Sequence, residues 1–375
     1  PDVDKVCDGA IATRAVTRAD KAPIHGLFDA NNGTGLAANP APYHLINTNV
    51  VLESSEIPKF RGRGGDNFIL TPYYCGSNAT GWLPSSDFMD GRMTLPTAMA
   101  ISGAAVNPST GVGGQGVTRK PLLSMFMGLL NIRLGYWAPN PCSNSKSETD
   151  AETDAKAKAE AEARAQKRTK VIPNFFQPGL NEMFRRSKLN EKAKYVELTD
   201  GGHFENLALY ELVRRRTRFI IVCDGGADPD FQFTDFANAQ EKIRTDFGTL
   251  ICCDCNDLQS LVPQTQKDDN CCTEEGAMKY AERGYLLSKI IYPDNSQGRL
   301  LYIKTTFFEK LSADLYGYKK THPQFPDEPT SDQFFDEMQF EAYRELGFQT
   351  AWEMMKDEEV LKDDFVQAFL KRPHS

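Results

Sequence analysis

The stretch from Tyr195 to Cys223 constrains the chain most. YVELT (Tyr195–Thr199) has the length and β-branched content of a short strand. Asp200-Gly201-Gly202 follows as a turn. Asn206–Arg216 carries Leu209, Leu212 and Val213 on one face at i, i+3 and i+4, which predicts a helix. RFIIVC (Arg218–Cys223) is a continuous apolar run, as a strand covered on both faces reads. Strand, helix and strand in this order predict a β-α-β unit with the two strands adjacent and parallel.

The alternation continues downstream. Thr234–Phe247 predicts a helix that starts near a Thr-Asp cap and stops at Gly248. LICCDC (Leu250–Cys255) predicts a strand, and Tyr285–Tyr292 with Arg299–Thr305 a strand pair around the turn Asp294–Gly298. Two helices, near Ser331–Leu346 and Gln349–Phe369, close the chain. Upstream, LINTNVVL (Leu45–Leu52) and NFILTPYY (Asn67–Tyr74) read as buried strands. Together these segments predict an α/β fold, with helices on both faces of a mostly parallel sheet, in a single domain spanning 1–375.

Composition narrows the function. Lys+Arg 43 against Asp+Glu 51 gives a net charge of −8, which argues against a nucleic-acid partner because no basic face stands out. The longest charge-free stretch, Met93–Thr118, is broken by Gly, Pro, Ser and Thr, and Pro121–Ile132 is too short to span a bilayer. The chain opens PDVDKV, without Met and without a signal-peptide pattern, as expected of a processed product or a fragment. Ser143–Lys170 is nearly free of large apolar side chains and predicts a solvated, charged low-complexity insertion (143–170). Asn32-Gly-Thr and Asn78-Ala-Thr match the short glycosylation pattern. Of nine cysteines, Cys252, Cys253, Cys255, Cys271 and Cys272 cluster. That cluster admits half-buried thiols, a disulfide between its two groups, or zinc, although C-C-x-C followed by C-C lacks the usual paired spacing for zinc.

The residues with chemical potential gather at strand ends, where ligands bind in open parallel sheets. Asp200-Gly201-Gly202 and Asp224-Gly225-Gly226 both occupy such positions. Glycine there permits close backbone approach, and an ionised carboxylate at a helix start can accept a proton from a nucleophile. By itself the triplet also describes an ordinary turn.

Longer context adds a resemblance. ELTDGGHFENLALYELVRRRTRFIIVCDGGADPD (Glu197–Asp230) resembles the patatin-like and cytosolic-phospholipase-like lipid acyl hydrolases. HLINTNVVLESS, NFILTPYYCGS, TAMAISGAAVNPSTG, NIRLGYW and DQFFDEMQFEAYRELG resemble large bacterial members of that family. The resemblance implies a three-layer α/β/α patatin-like domain with a mostly parallel central sheet. It implies hydrolysis of carboxylic esters of membrane lipids by a Ser–Asp dyad, without cofactor or metal. Asp200 is then the dyad Asp, taking the Ser proton as the hydroxyl attacks the ester carbonyl. Gly201 and Gly202 shape the turn, Asn206, Leu207 and Leu209 occupy matching places, and Ser102 belongs to a segment beside the site. Asp224 matches a strand-end position with no assigned role. The implied partners are a phospholipid or other lipid ester and a membrane surface, with peripheral membrane association.

The family's nucleophile sits in Gly-x-Ser-x-Gly, and this sequence contains no such pattern. RGRGGDN (Arg61–Asn67) has glycines, but downstream of where the family's oxyanion loop belongs. The chain therefore reads as the later part of such a domain, with the Ser on an upstream segment or a companion chain. The alternative is a catalytically silent structural or lipid-binding subunit of a larger assembly. Other candidates are His203 as a triad member, Asp224, Asp228 and Asp230 as Ca²⁺ ligands, and Arg214–Arg216 with Arg218 as lipid-phosphate contacts or as cations complementing a helix C-terminus. The stripe Leu122, Leu123, Phe126, Met127, Leu130 and Leu134, followed by Tyr136 and Trp137, reads as core or as an interfacial membrane contact.

Overall fold

The computed structural model describes residues 22–26, 43–105, 134–144, 189–264, 278–329 and 334–371. They belong to two compact units, Pro1–Asn206 and Leu207–His374. Residues 145–170 of the expected insertion, and Leu122–Leu130 of the apolar stripe, lie outside the described residues, as does the Asn32 glycosylation pattern.

The first unit is built on a six-stranded sheet. In chain order its elements are β1 (Ile46–Val51), α1 (Pro58–Arg63), β2 (Gly65–Leu70), β3 (Tyr74–Ser77), β4 (Gly81–Pro84), α2 (Leu95–Ser102), β5 (Tyr136–Pro139) and β6 (Tyr195–Asp200). The sheet order is β4-β3-β2-β1-β6-β5, and every pair is antiparallel. Chain length between strands explains the direction of β2, β3 and β4. The β2–β3 and β3–β4 links are tight turns, which can join only antiparallel neighbours. The β1–β2 link, residues 52–64, is longer and carries α1, which ends on Gly64 in the left-handed region, φ 73°, and turns the chain into β2. All six residues of β2 are buried, so the sheet is covered on both faces there. Val50, Leu52, Phe68, Leu70, Phe88, Ile101 and Leu198 form the core of this unit, each contributing about 1.5–3 kcal/mol by burial.

The second unit holds α3 (Leu209–Arg214), β7 (Phe219–Asp224), α4 (Thr234–Phe247), β8 (Leu250–Cys252), α5 (Cys255–Gln259), β9 (Tyr285–Ile291), β10 (Gln297–Lys304), α6 (Ala313–Thr321), α7 (Glu337–Met354), α8 (Glu358–Lys362) and α9 (Asp364–Leu370). Its sheet runs β7-β10-β9-β8; β7 and β10 are parallel, and the other pairs are antiparallel. The β9–β10 hairpin and α4 stand where the sequence predicts them. Phe236, Ala239 and Ile243 form the buried face of α4, and Phe236 packs on Tyr302 with ring centroids 4.7 Å apart.

The expected fold is overturned. The molecule is not a three-layer α/β/α domain with a mostly parallel central sheet, because among the described residues β7–β10 is the one parallel strand pair in the two sheets. β6 and β7 are not neighbours: β6 pairs with β1 and β5, and β7 with β10. The predicted crossover helix shrinks to six residues. It is bracketed by Ala208 and Arg216, both left-handed at φ 56° and 55°. Nor is β7 covered on both faces, since its burial alternates and leaves Ile221 and Cys223 exposed. Among the described residues, no helix is long and apolar enough to cross a membrane.

Candidate functional site

Asp200 is the last residue of β6, half-buried, with Thr48 of β1 as its cross-strand partner. The chain then tightens into a 3-10 turn over Gly201–His203. Asp200 Oδ1 accepts the Gly202 N–H at 2.7 Å, closing an Asx turn. Oδ2 has no hydrogen-bond partner among the described residues. One carboxylate oxygen is thus fixed and the other is open, the arrangement that a proton acceptor needs.

Both glycines are demanded by contact. A Cβ on Gly201 would lie 2.6 Å from the Asn47 carbonyl oxygen, and one on Gly202 would lie 2.7 Å from Asn206 Oδ1 and 3.2 Å from Asp200 Oδ1. The same Asn47 carbonyl accepts the Ser102 hydroxyl at 2.8 Å. The Asp200 N–H donates to the Ala104 carbonyl at 3.3 Å. The segment that ends α2 is therefore stitched to the Asp-Gly-Gly turn, and Asp200, Gly201, Gly202 and Ser102 come together. The Ser102 hydroxyl is spent on the main chain, which makes it a support for the turn.

His203 sits above this turn. Its Nδ1 lies 3.0 Å from Thr199 Oγ1 and its Nε2 lies 3.1 Å from the Ala105 carbonyl. A carbonyl can only accept, so Nε2 carries the proton. Asn49 Nδ2 donates to Thr199 Oγ1 at 3.1 Å, which leaves the Thr199 hydroxyl proton for Nδ1. Burial lowers the His203 pKa, partly opposed by the nearby Asp200 carboxylate and the Ala105 carbonyl. With both ring nitrogens engaged, His203 braces the loop. Asn47, Asn49 and Thr199 were not singled out from sequence. The available signal was two asparagines inside an otherwise apolar strand, a residue type depleted in strands.

The second triplet has the same local turn and the opposite chemistry. Asp224 Oδ1 accepts the Gly226 N–H at 2.9 Å. Its Oδ2 accepts the Tyr302 hydroxyl at 2.5 Å, and Lys304 Nζ lies 3.7 Å from Oδ1. Lys304 is only 1% exposed and also donates to the Gly226 carbonyl at 2.6 Å. Burial and the Asp224 carboxylate push the Tyr302 phenol pKa upward, so the phenol stays a donor. Asp224 is saturated by structural partners, and a Cβ on Gly225 would meet nothing within 4 Å.

The remaining candidates separate in the same way. Asp228 caps the following turn by accepting the Gln232 and Phe233 N–H groups at 2.9 and 2.8 Å. No group of three or more His, Cys, Asp or Glu side chains among the described residues is placed to hold a metal ion. Cys252 and Cys253 carry free thiols, and Cys271 and Cys272 lie outside the described residues. Arg214 and Arg215 both bind the buried Glu211 carboxylate, at 2.6 and 2.7 Å, inside their own helical turn. Arg216 and Arg218 instead border a cavity of about 510 Å³.

No protein-family model matches the chain, and no curated protein matches it.

Proposed function

We propose that the chain is part of a serine hydrolase that cleaves carboxylic esters of membrane lipids, with Asp200 as the base of a Ser–Asp dyad. The nucleophilic Ser is contributed from outside this sequence, by an upstream segment or a companion chain. The observation that carries the reading is the asymmetry of the Asp200 carboxylate, with Oδ1 held by Gly202 N–H and Oδ2 open. The residues around it, Gly201, Gly202 and Asn206, are those of the hydrolase-like Glu197–Asp230 run, and each is in close contact at the turn.

A second reading has its own support. Ser102 is committed to Asn47, and no Ser, Thr or Cys side chain among the described residues hydrogen-bonds to Asp200. This favours a catalytically silent lipid-binding subunit. Labelling with a serine-directed fluorophosphonate, followed by hydrolysis of phospholipid vesicles, separates the two. On the hydrolase reading, the 375-residue chain alone stays unlabelled, whereas a form joined to its Gly-x-Ser-x-Gly partner labels and turns over lipid. Asp200→Asn then lowers turnover by roughly 10²–10⁴-fold, the usual worth of a positioned base. Absence of labelling in every natural assembly of the chain decides for the silent subunit.

A further inference from the structure

We propose that the second unit carries a binding site for a phosphate group, formed where the loop between α3 and β7 meets the β9–β10 turn and α9. The reading is independent of the hydrolase assignment. The cavity there, about 510 Å³, is bordered by Arg216, Arg218, Tyr292, Asp294 and Phe365 among others. That volume lies inside the range of roughly 300–1,000 Å³ typical of small-molecule sites.

Charge balance points to an anion. Arg216 Nη1 is paired with Asp294 Oδ2 at 2.6 Å. Asp294 is itself held by the Ser296 N–H and hydroxyl at 3.1 and 2.7 Å, and these hydrogen bonds lower its pKa and keep it ionised. Arg299, which shares the Phe365 ring with Arg218, is balanced by Asp363 at 2.6 Å. Arg218 is exposed and has no carboxylate partner among the described residues, and its guanidinium lies 5.6 Å from the Phe365 ring centroid. One cation at the rim is therefore balanced by solvent alone. Its contact with an aromatic ring restricts a flexible side chain, so less freedom is lost when its N–H fork engages oxygens.

The number of guanidinium groups at the rim favours phosphate. A phosphate presents enough oxygens for two of them, and Arg216, though paired with Asp294, borders the same cavity as Arg218. The Tyr292 hydroxyl donates to the Thr217 carbonyl at 2.7 Å, and the Tyr292 pKa is pushed up to about 12 by burial, so no phenolate opposes the anion; the carboxylate that borders the cavity, Asp294, is paired with Arg216. Tyr292 and Phe365 offer apolar walls to whatever bears the phosphate.

Two arms test the site and separate its sources. Inorganic phosphate and glycerol phosphate are titrated into the full chain by calorimetry. Phosphatidylcholine vesicles, with and without phosphatidic acid, are used in co-flotation. Saturable binding in the first arm assigns a soluble phosphate compound, and phosphatidic-acid-dependent flotation assigns a lipid headgroup; either supports the site. Arg218→Ala should weaken the observed interaction at least about tenfold, the worth of one charge-assisted contact. Asp294→Asn, which frees Arg216, should tighten it. Lys320→Ala removes the same charge from an exposed position on α6 and should leave binding within about twofold. Circular dichroism on each variant establishes that it is folded. No binding in either arm, equal losses for Arg218→Ala and Lys320→Ala, or no gain from Asp294→Asn overturns the proposal.

Discussion

The Tyr302 hydroxyl donates to Asp224 Oδ2 across 2.5 Å, filling the carboxylate oxygen whose counterpart in Asp200 is open. Two identical Asp-Gly-Gly triplets thus do different work, and the difference is measurable as stability. Asp224→Ala leaves Lys304 buried without its counter-charge, and we expect a loss of about 3–5 kcal/mol in urea unfolding. Asp200→Asn should shift the midpoint little, because the amide oxygen still accepts the Gly202 N–H. Equal effects of the two substitutions would remove the distinction drawn between them.

The glycines make the same contrast. Gly201→Ala drives a methyl group against the Asn47 main chain, and Gly202→Ala drives one against Asn206. The first meets backbone, which cannot step aside, so it should cost about 1–3 kcal/mol, the usual range for overpacking, and more than the second. Gly225→Ala meets open space and should stay within about 0.5 kcal/mol of wild type. Differential scanning calorimetry on the three variants tests the ranking.

Asp66 is buried in β2, with Oδ2 accepting the Ala79 N–H at 3.0 Å. Burial raises its pKa above the ordinary 3.8, against the hydrogen bonds to Ala79 and Asn67 and the charge of Lys59. The sign follows directly. The neutral acid suits the fold, so its contribution is complete below pH 3.8 and is lost as pH rises through the folded value. Asp66→Asn, which keeps an acceptor and removes the charge, should raise Tm at neutral pH, with the gain vanishing below about pH 3.8. A Tm difference that does not change with pH would refute the account.

For His203 the shift runs the other way. The folded pKa lies below 6.5, so the neutral ring is favoured by the fold. Stability from this group is fully present above pH 6.5 and declines as pH falls through the depressed folded value. His203→Gln can retain a donor toward Ala105 and an acceptor toward Thr199, and should flatten the fall of Tm between neutral and mildly acidic pH. Parallel pH profiles for wild type and variant would show that the ring does not titrate with unfolding.

Much of this was legible locally. α4 announces itself by its Thr234-Asp235 start and its stop at Gly248, and the β9–β10 hairpin by two apolar runs around Asp294–Gly298. These features are decided by neighbours in sequence. Strand partners are decided elsewhere, which is why Tyr195–Thr199 and Arg218–Cys223 read as one parallel pair and fold into different sheets. An apolar run states that a strand is buried, not beside what. The site divides along the same line. Asp200, Gly201, Gly202 and Ser102 are visible as motif residues, but that Asp200 keeps a free oxygen while Asp224 does not depends on Tyr302 and Lys304, far along the chain.

The parallel register of β7 on β10 has a kinetic consequence. β9 and β10 meet across a short turn, so their hairpin can close early and at small entropic cost. Phe219 and Arg299 are also partners, but α4, β8 and α5 lie between them in the chain. β7 can therefore join only after that long loop has closed, which makes its docking the slow, late step for this unit. Destabilising changes in the hairpin should then retard refolding, whereas changes confined to the β7 edge, such as Ile220→Val, should chiefly hasten unfolding.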